Sequence, residues 1–82
     1  MSDKDRHHAA VWSAIEQIAE RRGLTPSGLA KLAGLDATAF NRSKRVKPDG
    51  IRWPSTETVA SVLAVTGITW VEFGKLVGEG LE

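Results

Sequence analysis

The sequence predicts an all-α domain of five short helices, with a helix-turn-helix at residues 26–45. Three observations predict it. Apolar residues recur at helical spacing along most of the chain. Glycine, proline and helix-capping residues divide the chain into short segments. The Val/Thr alternation in residues 58–69 hints at a strand, but its 3–4 spacing, its glycine stop and the lack of a partner strand favour helix.

The first helix covers residues 7–22. Val11, Ile15, Ile18 and Ala19 form its apolar stripe, with Glu16, Gln17, Glu20 and Arg21 opposite. Arg21 and Arg22 face the negative helix end, and Gly23 suits the left-handed cap. Thr25 caps the second helix. Pro26 suits its first position, where a missing N–H costs nothing. Leu29, Ala30, Leu32 and Ala33 are its apolar residues, and Gly34 stops it.

Asp36 then reads as the N-cap of a third helix over residues 37–44. Residues 45–54 are polar, contain two prolines and Gly50, and read as a loop. Ser55 opens a fourth helix with Glu57 in its first turn. Val59, Val62, Leu63 and Thr66 form its inner stripe, and Gly67 closes it. Thr69 and Glu72 make a capping-box pattern for a fifth helix, which runs through Val77 and stops at Gly78. The expected core is Val11, Ile15, Ile18, Leu29, Leu32, Leu35, Phe40, Val59, Val62, Leu63, Phe73 and Leu76, with Trp12 and Trp70 buried or partly buried. Residues 1–6 read as flexible, and Leu81-Glu82 as a cloning scar.

Composition bounds the function. The chain has 82 residues, 41% hydrophobic and 26% charged, a globular composition in one domain too small for most enzymes. It has no cysteine, which removes disulfides and thiolate metal sites. It has neither a membrane-length apolar run nor a signal-peptide core, so the expected location is cytoplasmic. The net charge of +1 conceals an asymmetry. Residues 1–52 carry ten Lys/Arg against six Asp/Glu, and residues 53–82 carry one Lys against four Glu. The strongest excess is Arg42, Lys44, Arg45, Lys47 and Arg52, opposed only by Asp49. Such segregation bears on partners rather than on fold.

Residues 26–45 carry the chemistry. Two short helices that cross closely need a small residue on the first, which Ala30 supplies. Gly34 can adopt the positive φ that reverses the chain. With Leu29, Leu35 and Phe40 inward, Ala37, Thr38, Asn41 and Arg42 face out. This small, hydrogen-bonding, basic face fits a major groove: Asn reads adenine, Arg reads guanine, and Thr or Ala methyls meet thymine. The free N–H groups near Ser27 suit a phosphate. The Lys/Arg loop that follows suits the flanking backbone.

The run from Leu29 to Arg45 resembles the lambda-repressor-like (XRE-type) DNA-binding domain. So does Pro54-Ser-Thr-Glu-Thr-Val-Ala-Ser-Val-Leu-Ala-Val-Thr-Gly, which is similar to that family's fourth helix. The resemblance covers residues 8–78. Ala-Phe-Asn-Arg-Ser-Lys-Arg together with Arg-Trp-Pro-Ser-Thr-Glu looks most like phage-repressor-C-type regulators, which resemble LexA in carrying a C-terminal self-cleaving Ser/Lys domain. The resemblance implies an N-terminal piece of a longer bacterial repressor. It also implies a homodimer that seats two recognition helices in successive major grooves of an operator, roughly 34 Å apart. Base contacts fall on Ala37, Thr38, Asn41 and Arg42, and phosphate contacts on Ser27 and Arg45, with Lys44, Lys47 and Arg52 beside them. Ser43 departs from the family's aliphatic inward position, and the loop before Pro54 is longer and more basic than usual. An antitoxin-like or other protein-interaction module is the competing expectation.

The remaining features read blandly. A loop tryptophan before a helix more commonly anchors the loop on the core than stacks on DNA, so Trp53 is read as an anchor. Gly28 reads equally as a close approach to phosphate or as tolerated. His7 and His8 point about 100° apart on a helix, and no further His or Cys completes a metal site, so both read as solvated. Ser43 and Lys44 diverge likewise and have no oxyanion hole, so no catalysis and no cofactor are expected.

Overall fold

The computed structural model describes residues 2–82. It contains four α-helices: α1 (Asp3–Arg21), α2 (Pro26–Leu32), α3 (Thr56–Thr66) and α4 (Trp70–Gly80). A 3-10 turn (Arg42–Lys44) and a two-stranded antiparallel hairpin, β1 (Val46–Lys47) and β2 (Gly50–Ile51), separate α2 from α3.

Three helices start where their capping residues predict. The side chains of Thr25, Ser55 and Thr69 accept hydrogen bonds from the backbone N–H groups of Gly28, Thr58 and Glu72. Gly28 thus has a local explanation: a Cβ there would lie 3.3 Å from the capping Thr25 Oγ1. Gly34 (φ 78°) and Gly67 (φ 73°) adopt the left-handed conformation that their stop positions require.

The expected third helix over residues 37–44 does not form, so the helices number four rather than five, and the helix-turn-helix expected at residues 26–45 lacks its second helix. Two local competitors replace it. Asp36 Oδ1 accepts from both the backbone N–H and the hydroxyl of Thr38, tightening the chain into i→i+3 turns up to Asn41. Asn41 is then extended (φ −63°, ψ 142°). The Phe40 carbonyl, which a continuous helix would pair with the N–H of Lys44, instead accepts from Arg45 Nη2 at 2.9 Å. The predicted loop also holds a hairpin. Lys47-Pro48-Asp49-Gly50 is a turn sequence, and Val46 pairs with Ile51 and Lys47 with Gly50.

Helix ends differ too. α1 begins at Asp3, where Ser2 caps it through the N–H of Asp5, so residues 3–6 are helical; residue 1 lies outside the described residues. α4 passes Gly78 to end at Gly80, against α1. A Cβ on Gly80 would sit 3.2 Å from that of Ala10, and Arg6 Nη2 donates to the Leu81 carbonyl at 2.9 Å.

The core holds Ile15, Ile18, Leu29, Phe40, Val59, Val62, Leu63 and Leu76 as expected, joined by Trp12 and the small residues Ala14, Ala19 and Ala30. Ala30 is fully buried, as a close crossing demands. Leu35 and Phe73 pack against the core partly buried. Leu32 is a correction: the last turn of α2 points its side chain outward, 54% exposed. Trp70 is exposed rather than buried, with its ring edge-on to Phe73. No single helix among the described residues is long and apolar enough to cross a membrane.

Candidate functional site

The segment from Asn41 to Trp53 is held on one stripe of α1. His8, Trp12 and Glu16 are four residues apart and share a helix face. Each fixes part of the segment.

Glu16 engages two arginines. Its Oε1 lies 2.8 Å from Arg45 Nη1, and its Oε2 lies 3.5 Å from Arg42 Nη2. Burial alone would raise the Glu16 carboxyl. The hydrogen bond and charge of Arg45, with a smaller contribution from Arg42, outweigh it and hold the carboxyl below its usual range.

Arg45 is a correction. The sequence assigns it to a phosphate, but its side chain is only 11% exposed. Its guanidinium donates to Glu16 and to the Phe40 carbonyl, and its Cζ lies 4.9 Å from the centroid of the Trp12 ring. A buried guanidinium needs paired charge and acceptors, and Arg45 has both. Its Nε–H has no acceptor among the described residues.

His8 is a second correction. Helical divergence does separate it from exposed His7, but it turns His8 inward rather than into solvent. His8 Nε2 lies 2.8 Å from the Arg52 carbonyl and 3.1 Å from the Arg45 carbonyl. Carbonyl oxygens only accept, so this nitrogen is assigned the proton. Trp12 Nε1 also donates to the Arg52 carbonyl, at 3.0 Å. The N–H of Arg52 donates to the Arg45 carbonyl at 2.8 Å and closes the base of the hairpin. Trp53 meets His8 edge-on, with centroids 5.4 Å apart, so it does anchor the loop; the residue remains 39% exposed. Among the described residues, no three metal-ligating side chains gather.

The clamp leaves the other predicted positions outside. Asn41, Arg42, Lys44, Lys47 and Arg52 are exposed. Arg42 is 83% exposed at its side chain despite its contact with Glu16. Thr38 is exposed, but its hydroxyl is committed to Asp36, whose carboxyl is held low by these Thr38 hydrogen bonds. Ala37 and Ser27 are partly buried. The structure therefore places four of the five basic residues of this segment in solvent and turns the fifth inward.

No match is found among protein-family models, curated proteins or solved structures. The likeness to lambda-repressor-like domains thus rests on sequence motifs alone.

Sequence reasoning missed the clamp itself. The available signal was the four-residue spacing of His8, Trp12 and Glu16, which places a histidine, an indole and a carboxylate on one face beside the apolar stripe.

Proposed function

We propose that this domain binds double-stranded DNA, as part of a transcriptional repressor. One observation carries the reading: four exposed cations lie on a short segment whose backbone is tied to the core by buried groups. Anchoring stabilises the fold whatever the loop binds, and it also suits a phosphate-binding surface, because ordering four cations before contact lowers the entropic cost of binding.

Lys44, Lys47 and Arg52 take phosphates, as does Ser27 at the start of α2. Asn41 and Arg42, flanked by Ala37 and Thr38, meet base edges. Arg45 takes no part in contact; it shares Glu16 with Arg42 and ties the backbone at Phe40. Repression follows from occupancy of a DNA site by a homodimer. Trp70 and Val71, both exposed on the first turn of α4, supply its contacts. The same exposed pair favours a second reading, a module whose main partner is another protein.

Anisotropy titrations of labelled duplex across a salt series test the proposal. Replacing Lys44 and Lys47 with Ala should flatten the slope of log affinity against log salt by about 0.9 per lost phosphate contact. A slope unchanged by these substitutions would overturn it. Tight protein binding that survives loss of Arg42 would favour the second reading.

A further inference from the structure

A cleft of about 320 Å³ opens between the Asp36–Phe40 turns and the segment leading into α3. Phe40 and Trp12 back it, Trp53 and Asp36 line it, and Arg52, Ser55 and Thr58 complete the polar part of its wall.

Trp53 is fixed here rather than loosely exposed. The carbonyl before it accepts hydrogens from His8 and Trp12, the His8 ring meets it edge-on, and Pro54 follows it. A large apolar ring held in place at the mouth of a cleft offers a stacking surface. Asp36 offers a charged acceptor. Its Oδ1 is used by Thr38, while its Oδ2 accepts from none of the described residues, and the Thr38 bonds keep the carboxyl ionised. Arg52 offers a cation of opposite sign, with no side-chain partner among the described residues.

We propose that this cleft binds a single unstacked nucleobase, with its ring on Trp53, its donor edge on Asp36 and its phosphate on Arg52. The combination selects the class. An aliphatic ligand would leave the indole without a stacking partner. A simple cation would meet Arg52, and a simple anion would meet Asp36. A nucleotide satisfies all three, because it joins a planar ring, hydrogen-bond donors and an anionic group. The size admits one base and excludes a duplex. Guanine is preferred, because either of its adjacent N1–H and N2–H₂ donors can meet the free Asp36 Oδ2. Thymine is disfavoured, because its one N–H lies between two carbonyls. The inference deepens the nucleic-acid reading above, but its cleft shares only Arg52 with the residues of that reading.

Tryptophan fluorescence titrations of the 82-residue chain provide the test, with 5′-GMP, a short thymidine strand and the same strand carrying one central guanine. Saturable binding is expected, with the guanine strand preferred to the all-thymine strand and Trp53→Ala weakening it about tenfold. Trp70→Phe should leave it unchanged, because that ring lies on α4, outside the cleft. Asp36→Asn, at an exposed site, should abolish the guanine preference while still accepting from the N–H of Thr38. If Trp53→Ala loses its helical circular dichroism, Asp36→Asn decides alone. Binding of 5′-GMP as tight as that of the strand identifies a free nucleotide as the source, and much tighter strand binding identifies single-stranded nucleic acid. Either supports the cleft. No saturable binding by any probe, or binding indifferent to both Trp53→Ala and Asp36→Asn, would overturn it. Duplex anisotropy run in parallel separates the two readings: failure of the cleft leaves the Lys44 and Lys47 dependence of duplex binding intact, and failure of the duplex reading leaves the nucleotide titrations intact.

Discussion

Arg45→Ala separates a structural arginine from a DNA-contacting one. The structure gives Arg45 a 2.8 Å charge-paired bond to Glu16, a 2.9 Å bond to the Phe40 carbonyl and a stacking position over Trp12. Hydrogen bonds to charged groups each contribute about 1.5–3 kcal/mol, and a partly desolvated cation–π contact about 0.5–2 kcal/mol. These do not add, because the three contacts share one side chain. Breaking a fully buried ion pair costs about 3–5 kcal/mol. Glu16, however, is 33% exposed and regains water once Arg45 is gone, which lowers that figure. The expected loss is therefore about 2–4 kcal/mol, a large share of the roughly 5–15 kcal/mol that stabilises a native domain. Urea unfolding followed by tryptophan fluorescence measures it, since Trp12 lies directly beneath the guanidinium. Lys44→Ala, at an exposed position, should stay within about 0.5 kcal/mol of wild type. A loss below about 1 kcal/mol for Arg45→Ala, accompanied by a flatter salt dependence of duplex binding, would refute the structural role and restore the phosphate contact that the sequence pattern implies.

Glu16 sets an acid limit. Its folded carboxyl lies below the 4.5 of an unpaired glutamate, so the unfolded chain takes up this proton first as pH falls. The stabilisation is present above about pH 4.5 and lost as pH falls through the lower folded value; Glu16→Gln should flatten this acid limb in unfolding curves measured from pH 7 downward. Leu29→Ala should cost about 2–5 kcal/mol in urea titrations, whereas Leu32→Ala, at an exposed side chain, should change stability by under about 1 kcal/mol; equal losses would mean that Leu32 is core after all. Gly34→Ala should lower stability by about 1–2 kcal/mol from backbone strain at φ 78° alone, because no atom lies within 4 Å of the added methyl; a neutral result in thermal melts would show that the turn relaxes.

Elements with strong local signals were legible in the sequence. The Thr25, Ser55 and Thr69 caps and the Gly34 and Gly67 reversals each depend on one or two neighbouring residues, and they appear where the pattern places them. The failures share a physical cause. Asp36 is a good N-cap by type, but its side chain closes a tight turn onto Thr38 instead of opening a helix. Gly78 is a good stop by type, but the packing of Gly80 on Ala10 carries α4 past it. Within the candidate site, the exposure of Arg42, Lys44, Lys47 and Arg52 was legible from charge and loop composition. The burial of Arg45 was not, because an arginine in a basic run carries no local mark of the carboxylate it will meet 29 residues away.

Helical character, most of the core and the segregation of positive charge into residues 42–52 are written in the residues themselves, because propensity, capping and periodicity act over a few positions. Which member of that basic run turns inward, and where the third helix gives way to turns, depends on contacts between distant parts of the chain. Both depend on α1 presenting His8, Trp12 and Glu16 to a segment distant in the chain. There, a buried guanidinium takes the Phe40 carbonyl that a continuous helix would have used, and long-range pairing overrides local propensity.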